Sequence, residues 1–492
     1  LNGYKIYEGS HNGYNKKFKR IIMTTQPIHY QSIKEIQDSY ENKSETPVSV
    51  TEHFLKRIES LDPDLKSYAT VMSDSALQQA EFLSKLYDDD RKKLSLFGIP
   101  VAVKDLCYTD GVLTMGGTSV LEDNIPNYDS TVVERLKSAG AIILGKLNLT
   151  EGAMAGYNPR RDVPKNPWNF DKWPGVSSSG SGVSTSAGLC LGSLGSDTGG
   201  SIRFPSASCG LVGIKPTYGR VSRYGVLDLA ETLDHVGPMT RNVDDATMML
   251  SAISGYDSND PTTIFEDPLQ FPDLHNVDLR GIVLGYCESY SEENIHKEIV
   301  ASVRNALEIL ENAGATIKKI EFESIDKYLS YWQAICTAEA YNAHLENFPK
   351  HADKYGPFFR EWLEMGSKVS QTEYIQASKQ RSTSNSIMRR AFDGIDAMIC
   401  PSVPRLPHDV DDSINYGSVA TNRASRGVAE YFQRFTVPFD YNGYPTISIP
   451  SGYSESGLPM SLQIVGHPNQ EALISRVGYA PNTKIIFSSR CS

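Results

Sequence analysis

The chain has 492 residues, of which 40% are hydrophobic and 22% are charged, a composition typical of a folded globular protein. Its 48 basic and 59 acidic residues give a net charge of −11, which argues against a generally basic, nucleic-acid-binding surface. No stretch approaches the roughly 18 consecutive apolar residues of a membrane-spanning helix, which excludes such a span. Seven scattered cysteines without a CxxC motif predict a reducing, cytoplasmic location, and neither a disulfide framework nor a zinc site.

The two ends of the chain differ in character from its body. Residues 1–22 are rich in lysine and arginine and lack apolar periodicity, whereas an ordinary pattern opens at Met23. Two interpretations stay open: a mitochondrial-type presequence, or upstream sequence before a start at Met23, which is favoured. Near the other end an apolar helical pattern stops at Pro481, and residues 480–492 follow no clear pattern. We therefore expect one domain over residues 23–479.

Strand and helix signals alternate along this body. Residues 47–61 carry one apolar stripe at helical spacing, and the alternating apolar residues of 99–103 predict a strand that runs up to Lys104. Further signals follow in chain order: a capped helix at 129–140, a surface excursion at 254–281, a helical stripe from Ile299 to Leu310, and strands at 141–144, 282–286, 398–400, 446–449 and 462–465. Alternating strands and helices predict an α/β layered fold.

The most unusual segment runs from residue 173 to residue 202, where Ser and Gly dominate and Asp197 is the only charged residue. A flexible linker has this composition, but the apolar residues interleaved with it favour burial. In a buried turn such as Gly199-Gly-Ser201, successive backbone N–H groups can converge on one point and bind an anion. The serine can then attack a carbonyl carbon while these N–H groups receive the oxyanion. A lysine made neutral by burial can serve as its base, and Lys104 is a candidate, although spacing alone favours a surface lysine there.

Several strings of residues, in order along the chain, make this sequence resemble the amidase signature family. They include Gly98-Ile-Pro-Val-Ala-Val-Lys-Asp105, Pro174-Gly-Val-Ser-Ser-Ser-Gly-Ser-Gly182, Gly195-Ser-Asp-Thr-Gly-Gly-Ser-Ile-Arg-Phe-Pro205, Asp234-His-Val-Gly-Pro238 and Gly457-Leu-Pro-Met-Ser-Leu-Gln463. The resemblance covers roughly residues 30–479. It implies an amidase domain with the family fold, a single large α/β/α layered domain whose central mixed sheet is covered by helices.

The resemblance also implies a Ser–cis-Ser–Lys triad. Ser201 falls on the nucleophile, Ser177 on the serine that follows a cis peptide bond, and Lys104 on the base. The other implied residues surround these three: the N–H groups of Thr198, Gly199, Gly200 and Ser201 for the oxyanion, Asp197 and Arg203 to order the loop, and Ser178 as a supporting hydrogen-bonding residue. Val176 and Ser179 stand where the family usually has glycine, so we expect a tighter loop or a lower activity.

The leading functional interpretation is an amidase that hydrolyses a non-peptide carbon–nitrogen bond to a carboxylic acid and ammonia or an amine. Its partner is then a small-molecule amide, with no cofactor and no metal. The sequence leaves the oligomeric state open, and a homodimer is an expectation from the family resemblance. Aromatic residues of the middle stretch, such as Trp332, hint at an apolar substrate pocket, with ordinary helix core as the default interpretation.

Two alternatives stay beside it. The first is the glutaminase subunit of glutamyl-tRNA(Gln) amidotransferase, which supplies ammonia and is the one interpretation that brings in nucleic acid. That subunit is expected to carry a glutamine-binding acid where this chain has Gln433 and Arg434. The second alternative is a catalytically inactive, amidase-like scaffold.

Overall fold

Eleven strands within the described part of the chain form one mixed sheet in this computed structural model. The structure describes residues 26–274, 278–425 and 432–482; the basic segment 1–22 and the tail beyond Asn482 lie outside the described residues. In chain order the strands are β1 (Tyr68–Val71), β2 (Pro100–Lys104), β3 (Ile142–Leu147), β4 (Gly192–Asp197), β5 (Val212–Lys215), β6 (His235–Thr240), β7 (Val283–Tyr286), β8 (Thr316–Lys319), β9 (Ala397–Pro401), β10 (Thr446–Tyr453) and β11 (Pro459–Gly466).

The sheet mixes parallel and antiparallel neighbours. Its order is β1-β3-β2-β4-β6-β5-β10-β11-β9-β7-β8. Strand β2 is parallel to β3 and β4, and β7 is parallel to β8 and β9, whereas the other neighbouring pairs are antiparallel. Every residue of β2, β3, β4, β9 and β11 is buried. The predicted single α/β domain with a central mixed sheet is therefore confirmed.

Helices surround this sheet. They are α1 (Ile33–Glu41), α2 (Pro47–Leu65), α3 (Ser73–Ser84), α4 (Asp88–Arg91), α5 (Thr131–Ser138), α6 (Ser179–Ser186), α7 (Arg203–Cys209), α8 (Val243–Ile253), α9 (Glu288–Glu292), α10 (Lys297–Asn312), α11 (Asp326–Ala343), α12 (Pro357–Gly366), α13 (Gln371–Ala391), α14 (Asp412–Asn415), α15 (Val419–Ser425), α16 (Val437–Tyr441) and α17 (Glu471–Asn482). No helix among the described residues combines the length and the apolar character needed to cross a membrane.

The sequence signals and the observed elements agree closely, with one correction. All six predicted strands are present, as β2, β3, β7, β9, β10 and β11. Residues 255–274 contain no helix or strand, and Phe265 there is 86% exposed, as expected of a surface excursion. The expected helix stop at Pro481 is wrong, because α17 continues to Asn482. A proline lacks the N–H that would donate to the preceding turn of a helix. Pro481 lies in the last turn of α17, and the loss of this one hydrogen bond does not end the helix before Asn482.

The strand order places two of the predicted site segments side by side. Strands β2 and β4 are parallel neighbours, with Val101 opposite Gly192 and Val103 opposite Leu194. Carboxyl ends of parallel neighbours meet at the same edge of a sheet. Lys104 ends β2 at this edge, and the turn that contains Ser201 leaves the end of β4 beside it.

Candidate active site

Lys104 lies at the end of β2 with its amine enclosed by three serine hydroxyls. Its Nζ lies 2.7 Å from Ser177 Oγ, 2.9 Å from Ser178 Oγ and 2.9 Å from Ser196 Oγ. The side chain has no solvent-exposed surface. The interpretation of Lys104 as a surface lysine is therefore wrong, because a strand buried on both faces carries the residue into the interior.

Burial changes the chemistry of this amine. It lowers the pKa of Lys104 from 10.5 to about 7, and the thiol of Cys107 and the carboxylates of Asp197 and Asp234 offset only part of that effect. The direction follows from desolvation, which penalises the charged ammonium. Near neutral pH the lysine therefore has a large neutral fraction that can accept a proton.

The serine loop before α6 is buried and tied to its surroundings. The Val176–Ser177 peptide bond is cis, as the family resemblance implies. The N–H of Ser178 donates to the carbonyl oxygen of Ser201 at 3.3 Å, which holds the serine loop against that residue. Ser179, one of the two departures from the family pattern, accepts a hydrogen bond from the buried Tyr157 hydroxyl at 2.9 Å.

Ser201 lies in the turn between β4 and α7. The residue is 8% exposed, whereas Lys104 and Ser177 are entirely buried. Of these three side chains, Ser201 is therefore the one that a molecule arriving from solvent can reach first.

A buried ion pair fixes the turn on which Ser201 lies. Asp197 Oδ1 accepts from the N–H of Gly200 at 2.6 Å, and Oδ2 accepts from the N–H of Ile202 at 3.0 Å. The Arg203 guanidinium donates to the same carboxylate, from Nη2 at 2.7 Å and from Nε at 3.0 Å. Burial alone would raise the pKa of Asp197, but the charge of Arg203 outweighs it and lowers that pKa below its usual value. The carboxylate is thus ionised and can hold both backbone N–H groups.

Arg203 connects this turn to the last third of the chain. Its Nη2 also donates to Asp440 Oδ2 at 2.7 Å, and its Nη1 donates to the Thr436 carbonyl at 2.9 Å and to Gln463 Oε1 at 3.2 Å. The side chain is fully buried. A planar fork with five N–H donors is suited to so many acceptors, which an ammonium group could not match.

Thr198 and Gly199 are held from several directions. Thr198 Oγ1 donates to Asp234 Oδ1 at 2.6 Å, and the Thr198 carbonyl accepts from the Trp332 indole N–H at 2.9 Å. The Gly199 carbonyl accepts from Thr436 Oγ1 at 2.7 Å. Both carbonyl groups of this short segment therefore have buried partners.

The backbone N–H groups that are expected to bind the oxyanion differ in whether they already have a hydrogen-bond acceptor. The N–H of Gly200 already donates to Asp197. Among the described residues, no acceptor receives the N–H of Gly199 or of Ser201. These two N–H groups are therefore available to a ligand oxygen.

Two neutral side chains cover Gly199. A methyl group placed on Gly199 would lie 2.7 Å from Trp332 Cζ2 and 3.1 Å from Gln433 Nε2. The neighbouring Arg434 instead pairs with Asp326, at 2.7 Å from Nη2 and 2.9 Å from Nε. Of the two side chains that stand where an acid was expected in the alternative function, only Gln433 thus reaches this loop.

No group of three or more His, Cys, Asp or Glu side chains able to hold a metal ion occurs among the described residues. The charge of Arg203 beside the turn is paired with the carboxylates of Asp197 and Asp440.

Comparison with known proteins identifies the family. The family model for amidases matches residues 49–474. The chain belongs to the amidase signature family. It is accordingly an amidohydrolase, the class to which members of this family belong.

Relatives of two kinds lie within this family. A Mycobacterium tuberculosis protein that carries the name amidase AmiD is 38% identical over 450 residues, which cover 91% of this chain and 92% of that protein. A glutamyl-tRNA(Gln) amidotransferase subunit of Staphylococcus saprophyticus is 33% identical, with 94% of this chain and 98% of that protein covered. A crystal structure of an amidase matches with a TM-score of 0.79 and 27% identity, over 92% of this chain and 99% of that one.

Several residues of the site are absent from the sequence prediction. Ser196 is the second residue of the family string 195–205, and Asp234 is the first residue of the family string 234–238. Their membership in these strings was the signal that could have identified them as site residues. Thr436 lies in the stretch 431–438, which was compared with the family only for the glutamine-binding acid, and Asp440 follows just beyond it. Nothing local pointed to either residue as a partner of Arg203. Trp332 was named as an aromatic residue that hints at a substrate pocket, with helix core as the default interpretation, but its indole N–H contact with Thr198 was not predicted, because it spans 134 positions of sequence.

Proposed function

We propose that this protein hydrolyses a non-peptide carbon–nitrogen bond of a small amide, giving a carboxylic acid and ammonia or an amine. The observation that carries the proposal is the 2.7 Å contact between Lys104 Nζ and Ser177 Oγ in a fully buried site. Family membership supports the reaction class, and a buried lysine with a pKa near 7 supports a neutral base.

The first half of the reaction makes an acyl-enzyme. A neutral amine has one lone pair and two N–H groups, so Lys104 can accept a proton from Ser177 while it donates to Ser178 and Ser196. Ser177 in turn takes the proton of Ser201, whose Oγ forms a bond to the amide carbon. The oxygen that becomes negative receives the N–H groups of Gly199 and Ser201, with Thr198 as another implied donor. The N–H of Gly200, which the resemblance also implies, is already held by Asp197.

The second half returns the protons. Lys104 gives its proton to Ser177, which protonates the leaving nitrogen as the carbon–nitrogen bond breaks and ammonia or an amine departs. Water then attacks the ester by the same route, and the carboxylic acid leaves Ser201. Asp197 and Arg203 hold the loop throughout, and the serine relay supplies the general acid–base part of the rate, typically about 10²–10⁴-fold.

The glutaminase alternative is less well supported by the residues near Gly199. The substrate of that subunit carries an ammonium group, which a carboxylate would pair. The side chain that reaches Gly199 is the neutral Gln433, and Arg434 is paired with Asp326. The inactive scaffold is disfavoured because Lys104, Ser177 and Ser201 are all present and Lys104 contacts Ser177.

The test is ammonia release from a panel of aliphatic and aromatic primary amides and from glutamine. We expect release from simple amides that falls to background in Ser201→Ala and is unchanged in Ser330→Ala, a control on the exposed face of α11. Release from glutamine alone would favour the amidotransferase interpretation. If a fluorophosphonate failed to label Ser201 and no amide were hydrolysed, the scaffold interpretation would stand.

The cellular compartment and the oligomeric state are the remaining parts of the proposal. The six cysteines among the described residues are buried and free of disulfide bonds, which supports the cytoplasm as a reducing compartment. A homodimer stays an expectation, to be checked by light scattering during gel filtration.

A further inference from the structure

The orientation of the Gly199 N–H is set by the carbonyl on the other end of the same peptide unit. In a trans peptide the C=O and the N–H point in opposite directions. The carbonyl of Thr198 points to the indole N–H of Trp332, at 2.9 Å. The N–H of Gly199 therefore points away from the indole, towards the side on which no described residue accepts it.

Close packing supports the same assignment. A methyl group on Gly199 would lie 2.7 Å from Cζ2 and 3.0 Å from Cε2 of Trp332, so the indole lies directly against the glycine. Cβ contacts under 3.0 Å are essentially absent from real structures. Glycine at this position is thus required by the indole.

Thr198 is also held through its side chain. Its hydroxyl donates to Asp234 Oδ1 at 2.6 Å, and Asp234 Oδ2 accepts from the N–H groups of Leu229 and Ala230, at 2.9 and 3.0 Å. Asp234 therefore fixes the side chain of Thr198 while Trp332 fixes its carbonyl. Two buried contacts from separate parts of the chain leave this peptide little rotational freedom.

We propose that Trp332 is a positioning residue that aims the Gly199 N–H at the oxyanion, with Asp234 holding Thr198 in the matching orientation. This inference rests on the proposed function, in which Gly199 donates to the developing negative charge. The physical reason is that such donors act only when they are held about 2.7–3.1 Å from the oxyanion before the reaction, and loss of one costs about 10²–10³-fold in kcat.

The first test compares two tryptophan-to-phenylalanine variants. Trp332→Phe removes the donor to Thr198 and keeps an aromatic ring. Trp168→Phe is the matched control, since its indole N–H also donates to a main-chain carbonyl at 2.9 Å, that of Cys209 at the far end of α7. Both are assayed with an amide hydrolysed by the wild type and with a fluorophosphonate, whose phosphoryl oxygen occupies the oxyanion position.

For Trp332→Phe we expect kcat to fall by roughly 10- to 100-fold with little change in KM, and the fluorophosphonate labelling rate to fall by a similar factor. The pH midpoint of the reaction should stay in place, because Lys104 sets it. Trp168→Phe should keep a wild-type kcat. An unchanged kcat with a raised KM would show that Trp332 only contacts the substrate. An equal loss of kcat in Trp332→Phe and Trp168→Phe would show a general effect on packing. Either result overturns the proposal.

A second pair of variants tests the hydrogen bond between Thr198 and Asp234. This pair keeps the proposal testable if Trp332→Phe fails to fold. Thr198→Val removes the hydroxyl that donates to Asp234 and should lose kcat as Trp332→Phe does, whereas Thr198→Ser keeps this hydroxyl and should lose much less kcat than Thr198→Val. Equal activity of the two Thr198 variants would overturn the role of Asp234 in this arrangement. Failure of the proposed function gives a different result, because the wild-type protein would then leave Ser201 unlabelled by the fluorophosphonate. If the wild type is labelled and the variants are fully active, only the positioning role of Trp332 is refuted.

Discussion

Lys104 Nζ lies 2.7 Å from Ser177 Oγ, closer than to either of its other two hydroxyl partners. No carboxylate among the described residues forms an ion pair with this amine. A buried ammonium without a paired carboxylate is costly, and the group avoids that cost by becoming neutral. The same environment that removes the charge therefore leaves the lone pair beside a serine hydroxyl.

We expect activity to rise with pH up to about pH 7 and then to level off. Burial lowers the pKa of Lys104 to about 7, so below this pH the lysine is protonated and cannot accept a proton from Ser177. The logarithm of kcat/KM should rise with a slope of one on the acid side, because kcat/KM reports ionisations of the free enzyme. A pH–rate profile of amide hydrolysis measures it, and a profile flat from pH 5 to pH 9 would contradict the assignment.

A control separates Lys104 from a second group that titrates in the same range. Burial raises the pKa of Asp234 to about 7 as well. The negative charge of Asp234 raises the pKa of Lys104, so Asp234→Asn should lower that pKa and move the acid limb to lower pH. Disappearance of the acid limb in Asp234→Asn would instead assign it to the aspartate.

Arg203→Lys should destabilise the fold and reduce activity. A lysine cannot reach Asp197, Asp440 and Gln463 together, and it leaves buried acceptors without a donor. We expect the free energy of unfolding to fall by about 3 kcal/mol in urea denaturation. Arg304→Lys is the control, since Arg304 makes a similar two-bond pair with Glu292 on the surface and its replacement should change stability little. Equal losses in both variants would show that burial does not matter here.

Ser179→Ala should destabilise the protein although the residue departs from the usual glycine of the family. The substitution removes the acceptor of the buried Tyr157 hydroxyl, at a cost of about 1–3 kcal/mol. In Tyr157→Phe/Ser179→Ala both partners are apolar, so much of that stability should return. The free energies of unfolding of the two single variants and the double variant measure this coupling, and strict additivity would refute it.

Gly199→Ala should lower kcat/KM by roughly 100-fold, because the added methyl group would meet the Trp332 ring and displace the peptide beside Ser201. Gly478→Ala is the matched control within α17, where an added methyl group would find ordinary contacts of 3.4–3.6 Å. That variant should be fully active and slightly more stable. Wild-type activity of Gly199→Ala would show that the loop tolerates the shift.

The sequence predicted the parts of this structure that depend on local pattern. Alternating apolar residues identified the strand that carries Lys104, and ordered family strings located Ser177 and Ser201 before any contact was known. The partners of Arg203 were not predictable in this way. Asp440 and Thr436 become neighbours of Arg203 only through the order of strands, 237 and 233 positions along the chain, and a lone acid in a variable stretch carries no sign of such a role.

Arg203 also has a consequence for how this enzyme is made. The ribosome delivers Ser201 and Arg203 long before it delivers Thr436, Asp440 and Gln463, three of the groups that accept hydrogen bonds from the guanidinium. Until those residues have emerged, the charge of Arg203 has only Asp197 to pair with, and the turn beside it lacks its final anchorage. We therefore expect the proposed site around Ser201 to be completed only when synthesis is nearly finished, so that truncated products carry the motif without amidase activity.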